Sequence, residues 1–434
     1  MIDYRPAPVD NNQSLLDKGI ALYEQKAFDQ ALVVFQKVVA IKPNNPVAHY
    51  NLGNALAHTG KLDQAIVSYQ KAIGFNMEES APLAYYNLGN AYYQSNNLDR
   101  AIAVYKKAIA LNPALAMAYN NLGLTLSHKA DKVSRREAIR VLQNALKLNP
   151  VDTDALNNLG IVYGDLGNLD QALALFNQAL KSNPRDTKAY VNSAKVLSLK
   201  GQNNQAIAML KKAVRMAPDD ATILYNLGCD LSKAHKYNEA IEWYLKALRI
   251  KPDDFNCLYN LGGDYLAKRD YTKAKEAYQR AIKANPTNPI GYFNIAHVFD
   301  ETGDYENALA CYKKAIELNP DYVGAHYNIG HLHNGHGRPN EAIKSLETAL
   351  AISQKQKNHL KAAHCYFHLG RIYTGMSKFE KALPMHLKSL GIARKLKEKG
   401  LVAANYSMLI GLYGQLSDNR KSRQMAKEFL KIVK

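Results

Sequence analysis

The chain has 434 residues, 47% of them hydrophobic and 22% charged. That is enough apolar content for a continuous core, yet no apolar run approaches the roughly 18 residues that cross a bilayer. The formal net charge is +18, and the start, Met1 to Pro6, lacks the basic and then apolar stretches of a secretory signal.

Residues 1–11, with Pro6 and Pro8, read as an extended or disordered lead. From Asn12 onward a small residue returns at Gly19, Gly53, Gly89, Gly123, Gly160, Ala194, Gly228, Gly262, Ala296 and Gly330, and seven of these nine steps are 34 residues. A second column follows at Ala31, Ala65, Ala101, Ala138, Ala172, Ala206, Ala240, Ala274, Ala308 and Ala342. Prolines such as Pro43, Pro113, Pro150, Pro184 and Pro218 close most units, since proline lacks the N–H and clashes with the preceding turn. The period predicts helical hairpins starting near Asn12, Pro46, Pro82, Ala116, Thr153, Thr187, Ala221, Phe255, Pro289, Val323, Ala363 and Ala403. Two extra residues around 77–80 and three in the basic stretch 129–136 are expected to lengthen turns between helices.

The unit at 221–254 shows how a hairpin is built. Leu224, Leu227, Gly228 and Leu231 follow the i, i+3, i+4, i+7 pattern of one apolar helix face, and Ala240, Tyr244 and Ala247 form the partner face. Gly228 and Ala240 are expected where the two helices cross most closely. The array over 12–350 reads as ten such units. Beyond it the steps lengthen, with Gly330 to Gly370 spanning 40 residues, so longer helices or linkers are expected in 351–434.

That last segment is also where the charge resides: 17 Lys and Arg stand against 4 Asp and Glu over 351–434, which is +13 of the total +18. Arg371, Lys378, Arg394, Lys395, Lys397 and Lys399 form a candidate basic patch for an acidic protein partner, nucleic acid or anionic lipid, with a solubilising end as the plain alternative. The final helix, 420–434, carries Met425, Phe429 and Ile432 on one face and lysines elsewhere, as a terminal cap requires. The four cysteines, Cys229, Cys257, Cys311 and Cys365, have no C-x-x-C spacing and fall within helical patterns. They read as buried thiols in a reducing, cytoplasmic setting.

The hexapeptide Tyr-Asn-Leu-Gly-Asn-Ala at 50–55 and again at 86–91 resembles the tetratricopeptide consensus, and the pattern covers nearly the whole chain. The resemblance implies an all-α fold, a right-handed α-solenoid superhelix of about twelve helix-turn-helix units. Two residues before the small residue stand Asn51, Asn87, Asn121, Asn158, Asn192, Asn226, Asn260, Asn294 and Asn328, with Asp17 before them and His368 and Met408 after. In this the array is similar to the superhelical domain of O-linked N-acetylglucosamine transferase, which implies that the asparagine ladder lines a concave groove and grips the backbone of an extended peptide. Asn suits that role because its amide both donates and accepts; the other reading is that it joins neighbouring helices. Beside the ladder run Tyr50, Tyr86, Tyr225, Tyr259, Phe293 and Tyr327, either sandwiching ligand side chains or packing between units. No lysine stands in their column, which rejects the carboxylate clamp of chaperone-binding relatives for units two to ten. Cys365 to Tyr373 resembles the longer repeats of the Leu-Gly-Asn scaffold family and of kinesin light chains.

Catalysis has no support in the motifs: no G-x-x-x-x-G-K-[ST], no G-x-S-x-G and no paired cysteines occur. His297, His326, His331, His333 and His336 cluster without an H-x-x-x-H pair followed by a carboxylate; His297 and His331 hold equivalent places on successive units with Asp300 and Glu301 near, a pH-sensitive or incidental metal contact being the alternative, and no metal site and no cofactor is predicted. The function expected is a non-catalytic scaffold or adaptor holding an extended segment of a partner protein, with a second, acidic partner at the basic end. The alternative is RNA or anionic-partner binding through that end, since the groove offers few cations, chiefly Lys188, Lys195 and Lys233. Self-assembly into a homo-oligomer is the third reading.

Overall fold

The computed structural model describes residues 11–77, 80–129 and 131–433, and every element within them is helical. The chain divides into two compact units, the first ending at Pro218 and the second running from Asp219.

The first unit holds six hairpins: α1 (Asn11–Glu24) with α2 (Phe28–Ile41), α3 (Pro46–His58) with α4 (Leu62–Gly74), α5 (Ala81–Gln94) with α6 (Leu98–Leu111), α7 (Ala116–Ser127) with α8 (Lys132–Leu148), α9 (Thr153–Asp165) with α10 (Leu169–Ser182), and α11 (Thr187–Leu199) with α12 (Asn203–Met216). The second holds six more: α13 (Ala221–Lys233) with α14 (Tyr237–Ile250), α15 (Phe255–Ala267) with α16 (Tyr271–Ala284), α17 (Pro289–Glu301) with α18 (Tyr305–Leu318), α19 (Val323–Gly335) with α20 (Pro339–Lys355), α21 (His359–Gly375) with α22 (Phe379–Leu396), and α23 (Lys399–Gln415) with α24 (Asn419–Val433). The twelve hairpins among the described residues are α-solenoid repeats, as the period predicts.

Local chemistry sets the helix starts. Asn45, Asp152, Asp186, Asp220, Asp254 and Asn288 each precede a first helix and accept from backbone N–H groups of its first turn, a cap worth about 1 kcal/mol. The turn within most hairpins places one residue in the left-handed region, among them Gly60, Gly167, Gly201, Gly303 and Gly337.

Where the recurring small residue is glycine, a ring or a leucine of the partner helix presses onto it. A Cβ added at Gly228 would stand 2.5 Å from Tyr244 Cε1, and one at Gly160 would stand 2.4 Å from Phe176 Cε1. Ala240 is fully buried, but the group that touches Gly228 is Tyr244, one turn further along α14. In the unit of α21 and α22 the place of this ring is taken by His386, whose Nε2 would lie 2.6 Å from a Cβ on Gly370. His386 Nδ1 stands 3.2 Å from Asn405 Oδ1, and Asn405 Nδ2 donates to Ser389 Oγ at 2.9 Å.

Two expectations about the irregular stretches are corrected. The three extra residues at 129–136 do not lengthen a turn: they extend α8 to 17 residues, starting after Asp131, whose carboxylate caps Ser134 N at 2.8 Å. The longer repeats are built from longer helices, with α20, α21 and α23 at 17 residues and α22 at 18. Here α21 and α23 begin one turn earlier than expected, at His359 and Lys399. The lead expected over 1–11 lies outside the described residues except Asn11, which begins α1, and residues 78–79 of the 77–80 insertion lie outside them too. On α24, Met425 and Phe429 pack onto the cluster of Tyr406, Leu409 and Tyr413, while the expected partner Ile432 falls outside the residues whose side chains are described.

Candidate functional site

Within each unit the first helices of successive hairpins approach one another, as α1 with α3, α3 with α5 and α5 with α7 in the first unit, and α13 with α15 and α17 with α19 in the second. The second helices do not pack on one another to that extent among the described residues. The crowded first helices therefore form the inner face of each unit, and the asparagine ladder lies on them.

In the first unit the ladder amides reach backward to the preceding hairpin. Asn87 Nδ2 donates to Tyr50 Oη and to Asn54 Oδ1, both at 3.0 Å. One hairpin later Asn121 Nδ2 donates to Tyr86 Oη at 3.1 Å and Asn90 Oδ1 at 2.8 Å. Asn54 Oδ1 also accepts from Tyr69 Oη at 2.8 Å, and Asn90 Oδ1 from Tyr105 Oη at 2.7 Å. These two oxygens are thus fully engaged, with two donors each. The residue just after the small residue decides the pattern. Where it is Leu124 rather than Asn, Asn158 turns to Asn120 Oδ1 at 2.8 Å. Where it is Ile161, Asn192 makes no side-chain hydrogen bond among the described residues. Asn51, which follows Ile20, donates to its own helix at Val47 O, 3.0 Å away.

The second unit repeats the rule. Asn260 Nδ2 donates to Tyr225 Oη at 3.1 Å and to Cys229 Sγ at 3.3 Å. Asn294 follows Gly263 and falls back on Ile290 O at 3.1 Å, and Asn328 donates to Tyr312 Oη at 3.1 Å. Asn226 makes no side-chain hydrogen bond among the described residues. In the last ladder step both partners are histidine: His331 and His368 stand with ring centroids 4.0 Å apart and nearly perpendicular. Burial and the nearby Arg371 guanidinium lower them, His331 to about 4 and His368 to about 3, His331 itself being a further cause for His368. Among the described residues no group of three metal-binding side chains occurs.

The sequence shows His297 and His331 at equivalent places on successive units, but not that Asn54, Asn90 and Cys229 of their column accept from the ladder. The column's composition is mixed, with Ile20, Leu124, Ile161 and Gly263 among the polar members, so no single residue type marks it.

The aromatic strip is half-buried. Tyr50 packs on Tyr69, Tyr86 on Tyr105 and Tyr225 on Tyr244, each pair with centroids 6.1 Å apart. Tyr259 meets Tyr278 at 6.3 Å, Phe293 meets Tyr312 at 5.6 Å, and Tyr327 meets His331 at 4.7 Å. These contacts lie within single hairpins, but Tyr327 also meets His368 of the next hairpin at 5.5 Å and Phe293 meets Tyr322 at 5.1 Å, so the strip packs both within and between hairpins.

In the first unit a cavity of about 160 Å³ opens on the inner face between α1, α3 and α5, lined by Tyr23, Asn54, Ala57, His58, Tyr69, Asn87, Asn90, Ala91 and Gln94. Among the described residues its walls hold no carboxylate and no Lys or Arg. The engaged atoms leave Asn54 Nδ2 as a donor and Asn87 Oδ1 as an acceptor in the same cavity. Of the cations expected in the groove, Lys188 pairs with Asp154 at 3.1 Å and Lys233 with Asp230 at 3.2 Å, and Lys195 is exposed.

The six basic residues of the C-terminal segment are all exposed, but they fall into two groups. Arg371 and Lys378 flank the turn between α21 and α22, whereas Arg394, Lys395, Lys397 and Lys399 surround the turn between α22 and α23. The α22 rise separates Lys378 from Arg394 by roughly 24 Å. Cys257 and Cys365 are buried, while Cys229 and Cys311 are only partly so, and all four are free thiols. No helix among the described residues is long and apolar enough to cross a membrane.

Comparison with known proteins places this arrangement. Residues 322–395, 298–337, 255–288 and 277–310 each match a model of the tetratricopeptide repeat. Among curated proteins none matches the chain. Among solved structures it is similar to yeast Tom70, at 15% identity over 96% of this chain and 99% of that one, with a TM-score of 0.47. It is also similar to MamA, at 27% identity over 38% of this chain and 96% of that one, with a TM-score of 0.36. A third, YrrB, described as a TPR protein with an unusual peptide-binding site, shows 22% identity over 42% of this chain and 95% of that one, with a TM-score of 0.37. Residues 10–251 match the model of the cilia and flagella-associated protein 70 C-terminal domain, and the chain belongs to that family, within the tetratricopeptide repeat proteins.

Proposed function

We propose that the chain is a non-catalytic, cytoplasmic scaffold that holds an extended segment of a partner protein along the inner face of its repeats. The observation that carries this reading is the uncharged cavity between α1, α3 and α5, where amide groups offer one donor and one acceptor side by side. A peptide bond presents the complementary pair, and matching it needs no particular side chain. At about 1 kcal/mol net for each hydrogen bond, several hairpins must act together, so affinity is spread along the segment and exchange is fast. RNA fits the inner face of hairpins two to ten poorly, because two of the three chief lysines there, Lys188 and Lys233, are already paired with aspartates and phosphate binding requires several cations.

The test is affinity capture from native lysate, with and without nuclease, using the full chain and two variants. Asn192→Ala combined with Asn226→Ala removes ladder amides that make no side-chain hydrogen bond among the described residues, and Ala57→Leu fills the cavity without touching a hydrogen bond of the ladder. Proteins that survive nuclease and are lost with both variants support the groove. An unchanged set of captured proteins from folded variants, or capture that vanishes with nuclease, discards it.

A further inference from the structure

A second cleft lies on the other side of the helices from the ladder. His359, Ala362 and Tyr366 share a face of α21 that helical geometry turns about half a revolution from the face of His364, His368 and Arg371. Across from them stand Lys388, Gly391, Ile392 and Lys395 on α22, with Gln354 near the end of α20. The space is about 500 Å³, room for a bulky side chain and the peptide units beside it.

Three features define what it would accept. The first is charge: Lys388 and Lys395 line the cleft with no carboxylate among the lining residues, and neither has an ion-pair partner among the described residues. The start of the 17-residue α21 at His359 adds the partial positive charge of a helix N-terminus. The second is a fixed wall. Gln354 Nε2 donates to Tyr366 Oη at 3.0 Å, and Lys388 Nζ lies 5.4 Å from the centre of the Tyr366 ring. The third is an open apolar floor. Gly391 sits inside α22, where glycine costs about 1 kcal/mol against alanine, and a Cβ there would meet nothing within 4 Å. Ala362 beside it is buried, and Leu360, Leu387 and Leu396, each next in sequence to a lining residue, are exposed.

We propose that this cleft docks an acidic protein segment, which lays one apolar side chain over Gly391 and Ile392 while its carboxylates meet Lys388 and Lys395. The proposal is independent of the inner groove, because none of these residues lies on the ladder face. Nucleic acid would use the same cations but has no need of the open floor above Gly391.

The probe is a short fluorescent peptide of Asp and Glu around a central Phe, measured by anisotropy against the full chain, with a central-Ser version and a single-stranded RNA of equal charge as competitors. The expected result is saturable binding of the Phe peptide, weakened about tenfold or more by Lys388→Glu with Lys395→Glu and by a similar factor in Gly391→Leu. Arg423→Glu with Lys427→Glu, an equal change of charge on α24, is expected to weaken binding by less than about threefold. Gly391→Leu enters open space and favours the helix, so it is expected to fold, and an unchanged melting midpoint checks this. The proposal is overturned if the Phe peptide does not bind, if Gly391→Leu binds normally, if the α24 variant loses as much, or if the RNA displaces the peptide more effectively than the unlabelled Phe peptide does.

Discussion

Asn87 ties two side chains of the preceding hairpin together, its Nδ2 standing 3.0 Å from Asn54 Oδ1 and 3.0 Å from Tyr50 Oη. The ladder therefore has a stacking role at some repeats and none at others. Asn87→Ala removes the amide donor to Tyr50 Oη and one of the two donors to Asn54 Oδ1, which keeps Tyr69 Oη, and should cost about 1 kcal/mol in urea unfolding. Asn192→Ala removes no side-chain hydrogen bond among the described residues and should change stability by less than about 0.5 kcal/mol. Equal losses for the two variants would show that the pattern of hydrogen bonds does not govern stacking.

The repeat boundaries were legible because a one-turn error would carry a small residue away from its ring. Gly19, Gly53 and Gly89 fix the phase, and the expected start at Pro46 is where α3 begins. The ladder column was equally plain, but its partners were not, since a hydrogen bond between Asn54 and Asn87 spans 33 residues and leaves no local signal. The left-handed column was half visible. It lies seven residues after most of the small residues and reads as glycine at Gly60, Gly167, Gly201, Gly303 and Gly337, yet Asn96, His235, Arg269, Ser377 and Ser417 adopt the same conformation. The extension of α8 was missed because Asp131 caps it from within a stretch that reads as a polar turn.

Arg269 gives that column a direct test. Its φ of 61° crowds the side chain against the backbone, a strain of about 1 kcal/mol that glycine does not carry. Arg269→Gly should raise the unfolding free energy, reduced by the greater chain entropy of glycine when unfolded. A loss of stability would mean that the arginine side chain holds the turn.

The contact of Gly228 with Tyr244 leaves no room for a side chain, since a Cβ would stand 2.5 Å from the ring. Gly228→Val should therefore destabilise the second unit by about 1 to 3 kcal/mol. Tyr244→Leu shortens the opposing side chain, so the double variant should lose less than the sum of the two single ones. Strict additivity in thermal melts would place the strain elsewhere.

Asp264 occupies a column that is Val162, Val196 and Val298 in other hairpins, and it is 4% exposed. Ser232 Oγ donates to it at 2.5 Å, but Oδ2 has no partner among the described residues, and burial raises its pKa to about 6. A carboxyl whose folded pKa lies above its unfolded value stabilises the fold most at low pH, and that contribution is lost as pH rises through about 6. At pH 7 the fold carries a buried charge, so Asp264→Val should be more stable there by about 1 to 2 kcal/mol. The advantage should shrink toward pH 4. A gain that stays constant from pH 4 to pH 7 would assign the effect to packing alone.

His331 and His368 carry the opposite sign. Burial and Arg371 hold them at about 4 and about 3, against about 6.5 in an unfolded chain. The unfolded state therefore takes up protons first as pH falls. The stability that comes from keeping the pair neutral is complete above about pH 6.5 and is lost progressively toward about pH 4, by at most about 1.4 kcal/mol per pH unit for each histidine. The neighbours Lys361, Arg371 and His364 all push in the same direction. Replacing both by asparagine, His331→Asn with His368→Asn, writes the Asn54 and Asn87 arrangement into this repeat and removes the two titrating groups. Urea midpoints at pH 7 and pH 5 should then lie closer together in the variant than in the original chain, while the variant keeps its helical spectrum. If the gap between the two midpoints is the same in both proteins, the paired rings do not set the acid sensitivity of this repeat.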